Sequence, residues 1–232
     1  MQQKVKVYRA TFVFGETTDT LDCTGKVVEN SSVIPTREQI DEAAKNIVGD
    51  VEQIPPQYSA KSVGGVRAYD LARKGIQVEF KPKKVTVYYV KTVDCDIDGA
   101  PYALKENEYA FEIACSSGTY IRSIARDLAA FLGTVAYMSS ICRIKSGDFE
   151  ICDSVSLEDF EKMPLEYLKP IDCALKSFEK VQIDEAQKSK VLNGVSIKVD
   201  NLPLGDFVVE RDGEVLGMGE CVSGLLHMKT RL

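Results

Sequence analysis

Tryptophan is absent from this sequence of 232 residues, and histidine occurs once, as His227 near the end of the chain. A single imidazole excludes two-histidine metal motifs and argues against a Ser-His-Asp or Cys-His catalytic arrangement. The seven cysteines (Cys23, Cys95, Cys115, Cys142, Cys152, Cys173 and Cys221) form no C-x-x-C pair and are odd in number. Neither a disulfide framework nor a thiolate zinc site is indicated, and the thiols are expected to be reduced and mostly packed. No segment approaches the roughly 18 uninterrupted apolar residues of a membrane span, and the opening MQQKVKVYRATFVF lacks the layout of a signal peptide. These absences predict a cytoplasmic protein without membrane or metal, whose chemistry runs on carboxylate, arginine or tyrosine.

Positive charge is also scarce, with 29 lysines and arginines against 35 acidic residues and a net charge of -6. Taken whole, that balance opposes nucleic-acid binding, because phosphates demand cations at the contact. The distribution is uneven. Residues 57 to 91 hold eight basic side chains (Lys61, Arg67, Arg73, Lys74, Lys81, Lys83, Lys84, Lys91) against Asp70 and Glu79, so the window is 8 - 2 = +6 and the remainder is 21 - 33 = -12. Counted alone, such a run is either a solvated helix and loop or a phosphate-binding surface. An apolar fraction of 44% and a charged fraction of 28% are those of an ordinary globular chain, and the length suits one large and one small domain.

Val5 to Phe14 alternates as a strand does, and the following GETTDTLDCTG reads as a loop, because glycine, threonine and aspartate compete for backbone hydrogen bonds. Thr36 and Gln39 form a capping box for a helix over about 36–48, with Ile40, Ala43, Ala44, Ile47 and Val48 as its apolar stripe and Gly49 as its stop. Paired prolines and paired glycines flank a short helix at roughly 66–74, as in an exposed excursion. Strands are predicted over 84–97 and 108–115, joined by DGAPYALKEN as a hairpin connection, and a helix capped by Thr119 runs to about Leu132. Its inward stripe is Ile121, Ile124, Ala125, Leu128, Phe131 and Leu132. Ser156 with Asp159 suggests a short helix, and 164–170 resembles a linker. A capped helix over 184–192 and small β structure over 206–228, with an Asp-Gly turn inside RDGE, complete the chain.

Four segments, in order, resemble the TruB family of tRNA pseudouridine synthases. They are KVYRATFVFGETTDTLDCTG, QIPPQYSAKSVGGVRAYDLARKG (the family's Q-x-P-P-x-Y-S-A-x-K block), ACSSGTYIRSIARDLAAFLG (C-S-x-G-T-Y-I-R-x-L-x-x-D) and YMSSICRIKSGDF (L-R-R-x-x-x-G-x-F). The resemblance implies an α+β protein: a pseudouridine synthase catalytic fold over 1–176, with a mixed, mainly antiparallel sheet flanked by helices, an incomplete N-terminus and a thumb-like insertion at about 55–84. A small β-rich, PUA-like RNA-binding domain is expected over 177–232. It implies isomerisation of the T-loop uridine of tRNA without a cofactor, by a monomer whose partner is the tRNA T-arm.

Carried over residue by residue, Tyr8 would stack on the flipped uracil, which must leave its loop to be reached. Arg122 would pair with the catalytic aspartate, and Tyr120 would hydrogen-bond that aspartate or move a proton. Ile141 would lie under the base. Cys142 replaces the first of two family arginines, whereas Arg143 is retained. Lys61, Arg67, Lys81, Lys83 and Lys84 would meet phosphates from the thumb. Taken without the family, Tyr8 and Ile141 are ordinary core residues, Tyr120 is an aromatic at a helix start and Arg122 is a surface arginine. Family members also carry an earlier G-H-x-G-T-L-D-P motif whose aspartate is the nucleophile. The chain starts after that point, so it is expected to lack the nucleophile, to be inactive alone, and to expose a sheet edge and apolar surface. Asp19 and Asp22 belong to the later threonine-aspartate loop and are not expected to replace it. A non-catalytic RNA-binding module is the competing reading, and a Ser59–Lys61 hydrolase rests on a two-residue spacing alone.

Overall fold

A computed structural model describes residues 5–76 and 78–232. The chain divides into two compact units, residues 1–154 and 155–232. In the first, β1 (Lys6–Phe14) is followed by a two-stranded ribbon of β2 (Glu16–Thr18) and β3 (Val27–Asn30), then α1 (Arg37–Ala44) with a 3-10 turn at Lys45–Ile47. After it come β4 (Gly49–Gln53), the small hairpin β5 (Ser62–Val63) and β6 (Val66–Arg67), and α2 (Ala68–Arg73). Then follow β7 (Lys83–Val93), β8 (Glu108–Cys115), α3 (Ile121–Phe131), β9 (Ala136–Ser146) and β10 (Phe149–Glu150).

Six of these strands form one antiparallel sheet in the order β10-β9-β1-β8-β7-β4, with β1 near its centre. The period-2 alternation of β1 explains its position, because a central strand must offer a side chain to each face. Ala10, Phe12 and Phe14 join Phe111 and Ile113 of β8 on one face and meet Ile124, Ala125 and Leu128 of α3. The Phe12 and Phe111 rings stack with centroids 4.6 Å apart. Each such buried side chain stabilises the fold by roughly 1.5–3 kcal/mol. The other face is polar. Arg9 pairs with Glu112 at 2.7 Å, and Glu112 also accepts from the Tyr89 hydroxyl and pairs with Lys91, each at 2.8 Å. Burial, with the Glu112 carboxylate beside it, pushes the Tyr89 phenol up to about 12. The charge of Lys91, though its side chain stays 57% exposed, is thus answered by Glu112 and is not a free cation of the basic run counted from the sequence.

The helix predicted over 36–48 forms with both halves of its capping box, but Val48 leaves it in extended conformation and is 41% exposed. Gly49, expected to stop the helix, opens β4 instead with φ at +106°. Helix α3 starts at Ile121 with no side-chain cap; Thr119 donates to the Ser116 carbonyl at 2.9 Å and so finishes the preceding turn. Phe131, expected inward, is 61% exposed because the helix ends beside an open cleft lined by Ile47 and Val51. Strand β7 ends at Val93 rather than 97, since Asp96 turns the chain by accepting from the Asp98 and Ala100 N–H groups. All seven cysteines are free thiols, but only Cys115 and Cys221 are buried, fewer than the expected majority.

In the second unit, α4 (Leu157–Lys162) and α5 (Asp172–Leu175) precede β11 (Glu179–Gln182), α6 (Glu185–Leu192), β12 (Ile197–Lys198), β13 (Gly205–Arg211), β14 (Glu214–Val222) and β15 (Leu225–Arg231). The sheet order is β11-β13-β14-β15-β12, and Val181, Val191, Phe207, Val209 and Leu226 form its core. Asp212 and Gly213 turn β13 into β14 with φ of +50° and +83°, the double positive φ of a two-residue hairpin. The 164–170 segment, read as a linker, lies inside this unit. Among the described residues no helix is long and apolar enough to cross a membrane.

Candidate active site

The Q-I-P-P-Q-Y block explains how the site is assembled. Pro55 and Pro56 have no N–H to donate, so this segment cannot continue the ladder of β4 and leaves its carbonyls free. Helix α3 takes them up. Ser123 and Arg126 donate to the Ile54 carbonyl at 3.0 and 3.1 Å, and Arg122 donates to the Tyr58 carbonyl at 2.7 Å. Gln53 clasps the start of the helix, accepting from the Tyr120 N–H at 2.7 Å and donating to the Tyr120 carbonyl at 3.1 Å. Further on, Gln57 exchanges two hydrogen bonds with the Val78 backbone, at 2.8 and 3.0 Å. The excursion predicted at about 55–84 is therefore closed at its root between residues 57 and 78.

The threonine-aspartate loop supplies the other wall. Leu21 adopts φ of +60°, a left-handed conformation that costs a branched residue about 1–3 kcal/mol. Two backbone hydrogen bonds to Met138 of β9 hold it there: Met138 N–H donates to the Leu21 carbonyl and Cys23 N–H to the Met138 carbonyl, at 3.1 and 3.0 Å. Gly25 lets the loop close, for a Cβ at that position would lie 2.3 Å from Thr20 Oγ1 and 2.4 Å from Asp19 Oδ1.

The consequence is an ion pair. Arg122 Nη1 lies 2.9 Å from Asp22 Oδ2 and donates to the Thr20 carbonyl at 2.8 Å, both side chains being about four-fifths buried, at 20% and 19% exposure. The opposite oxygen of Asp22 accepts from the Thr20 hydroxyl and from the Thr24 hydroxyl and N–H. Desolvation pushes the Asp22 carboxyl upward, but the Thr24 and Thr20 hydrogen bonds and the Arg122 charge outweigh it and hold the group below its ordinary value. Around this pair opens a cavity of about 430 Å³ lined by Thr24, Tyr58, Ser59, Tyr69 and Arg73.

The other residues singled out from the sequence are placed as follows. Tyr8 packs at the edge of the core and stands opposite Ile113 and Arg143 in the sheet. Burial pushes its phenol up against the opposing hydrogen bond from Arg143. Ile141, opposite Ala10 and 46% exposed, shares the face of Tyr8, whereas Cys142 stands opposite Arg9 on the other face. None of Tyr8, Ile141 and Tyr120 lines the Arg122 cavity; Tyr120 is held at the root of α3 by its backbone bonds to Gln53. Lys81, Lys83 and Lys84 are exposed, and Lys83 Nζ lies 2.1 Å from where a Gly118 Cβ would be. Arg67 donates to the Ala60 carbonyl at 3.4 Å. The Lys61 ammonium sits over the Phe80 ring at 5.3 Å while Ser59 Oγ has no partner, so no Ser59–Lys61 dyad forms.

Asp22 is the functional candidate that the sequence reading passed over. Its signal was present, since a carboxylate between threonines two residues away on each side is built to accept local hydrogen bonds. Only its partner, exactly one hundred residues on in the chain, was invisible.

Residues 1–121 match the family model for the TruB family pseudouridylate synthase N-terminal domain. A tRNA pseudouridine synthase B of Aquifex aeolicus is 36% identical over 230 residues, covering 98% of this chain and 78% of that protein. Its counterpart in Borreliella burgdorferi is 41% identical over 209 residues, covering 90% and 70%. Among solved structures, an H/ACA ribonucleoprotein bound to a substrate RNA containing 2'-deoxyuridine superposes with a TM-score of 0.66 at 17% identity, over all of this chain and 66% of the other. A Cbf5-Nop10-Gar1 complex gives 0.66 at 18% identity, over all of this chain and 67% of the other. At such identities the structural likeness is one of fold, and the fold is the mainly antiparallel α+β architecture of pseudouridine synthases. By sequence, the chain belongs to the TruB family of pseudouridylate synthases.

Proposed function

We propose that this chain is a tRNA pseudouridine synthase that isomerises the T-loop uridine, working as a cytoplasmic monomer on the tRNA T-arm. Residues 1–176 form the catalytic part, and 177–232 form a PUA-like RNA-binding part. The observation that carries the reading is the guanidinium of Arg122, paired with Asp22 and held by two carbonyls at the edge of a cavity large enough for a nucleotide. An always-charged guanidinium in that position receives a second carboxylate and keeps it ionised for attack. Tyr8, backed by Arg143, offers an aromatic face to the displaced base, Ile141 lies beneath it, and Tyr120 serves the proton removed from carbon. Lys61, Arg67, Lys81, Lys83 and Lys84 meet the phosphates.

Asp22 is not the attacking group. One of its oxygens accepts three hydrogen bonds, from the Thr20 hydroxyl and the Thr24 hydroxyl and N–H, and the other is paired with Arg122, so this carboxylate is committed to holding the loop on Arg122. We infer that residues 1–232 turn over no uridine alone and that the attack comes from the aspartate of a G-H-x-G-T-L-D-P segment. The test is tritium release from tRNA labelled at carbon 5 of its uridines, with and without that segment added in trans. Release only with the segment supports the reading. Release by residues 1–232 alone removes the inactivity claim, and tight tRNA binding without release under either condition favours a non-catalytic RNA-binding module.

A further inference from the structure

Among the described residues, Ser59 Oγ is one of three buried side-chain polar atoms without a hydrogen-bond partner, and Ser59 is the one residue of the three that lines the Arg122 cavity. The residue is 3% exposed. Its backbone is fully used, the N–H donating to the Gln57 carbonyl and the carbonyl accepting from the Tyr69 N–H, both at 3.1 Å. A buried hydroxyl left unpaired opposes folding, so its persistence in a functional cavity points to a partner that arrives with the ligand. The charge of the cavity specifies that partner. Asp22 and Arg122 cancel, while the third charged lining residue, Arg73, has its guanidinium on the Tyr69 ring at 5.5 Å and no ion pair to a carboxylate among the described residues. One cation and one hydroxyl are thus unanswered. A monoanion with oxygen acceptors answers both, and a phosphodiester is such a group.

We propose that Ser59 and Arg73 form a subsite for a phosphodiester flanking the target uridine, with Ser59 Oγ donating to a phosphate oxygen and Arg73 supplying the charge. This rests on the tRNA reading above and adds to it a named phosphate and its two partners inside the cavity, apart from the lysines of the thumb. Arg73 is exposed at the cavity and meets an RNA approaching from solvent; Ser59, at the root of the excursion, is reached once a nucleotide has entered.

The probe is a T-arm stem-loop RNA in which the phosphates on both sides of the target uridine are replaced by uncharged methylphosphonates, compared with the unmodified RNA and with one modified only in the stem. Binding to residues 1–232 is measured by anisotropy across a salt series. Wild type is expected to lose roughly tenfold in affinity on the flanking modification and little on the stem modification. Arg73→Gln and Ser59→Ala should each bind the unmodified RNA more weakly and lose nothing further on the flanking modification. For Arg73→Gln the salt slope should fall by about one phosphate's share. The Ser59→Ala melting temperature should equal or exceed that of wild type, because no hydrogen bond is removed. Wild-type indifference to the flanking modification, with RNA binding intact, overturns the subsite and assigns the oxyanion to the incoming carboxylate. Variants that retain the full loss also overturn it. Failure of wild type to bind any T-arm RNA overturns the tRNA reading, and the subsite with it.

Discussion

Replacing Asp22 with asparagine tests the central ion pair, because the side chain keeps its shape while losing its charge and one of its two acceptor oxygens. Arg122 would retain the Thr20 and Tyr58 carbonyls as acceptors, so its guanidinium would not be wholly abandoned. Both partners are about four-fifths buried, at 20% and 19% exposure. The cost therefore falls between the ~0.2–1 kcal/mol of an exposed pair and the ~3–5 kcal/mol of breaking a buried one, at about 2 kcal/mol. For a unit of this size that corresponds to a melting shift of about 5 °C. Tyrosine fluorescence is a selective probe, since the chain has no tryptophan and nine of its ten tyrosines lie in residues 1–154.

The pH dependence carries a definite sign. The Asp22 carboxyl titrates below its ordinary value of 3.8 in the folded protein. Its contribution is therefore complete above the unfolded pKa and disappears as pH falls through the folded one. The gap between wild type and Asp22→Asn should be full at neutral pH and should narrow as pH falls below the ordinary carboxyl value of 3.8. A gap under about 0.5 kcal/mol at neutral pH, or one that does not narrow in acid, would refute the reasoning.

Two further outcomes follow from the same geometry. Changing Lys81, Lys83 and Lys84 together to alanine should weaken tRNA binding and lower the slope of log affinity against log salt by about two, in a filter-binding salt series; an unchanged slope removes these lysines from the interface. Gly25→Ala would press a methyl against Thr20 Oγ1 and Asp19 Oδ1, where a Cβ comes within 2.3 and 2.4 Å. Because that loop aims Asp22 at Arg122, the variant should lower stability by about 1–3 kcal/mol, and tRNA affinity should fall with it. Wild-type values for both would mean that the loop closes in another way.

Local chemistry wrote much of the structure into the sequence. The Thr36 capping box, the alternation of β1 and of β8, and the Asp212-Gly213 turn each depend on residues a few positions apart, and each forms where the spacing predicts. The 136–146 segment was legible only as a motif, because YMSSICRIKS mixes serines and two cations without a sustained apolar alternation; it becomes β9 because β1 offers it a ladder. Gly49 ended a helix on paper and begins β4, since pairing with β7 recruits the residues beyond it. Lys91 counted as part of a basic run until the sheet placed it on Glu112.

For the site, the sequence by itself determined which side chains could do chemistry: a single histidine, too few for a two-histidine metal motif, threonines around Asp22, prolines that break the strand ladder after Ile54, and a guanidinium at Arg122. Tertiary structure alone decided that Arg122 meets Asp22, that Ser59 is buried without a partner, and that Cys142 faces away from Tyr8. Those outcomes join residues many tens of positions apart. The free energy that settles them comes from closing the sheet on α3, a cooperative event that no local spacing records.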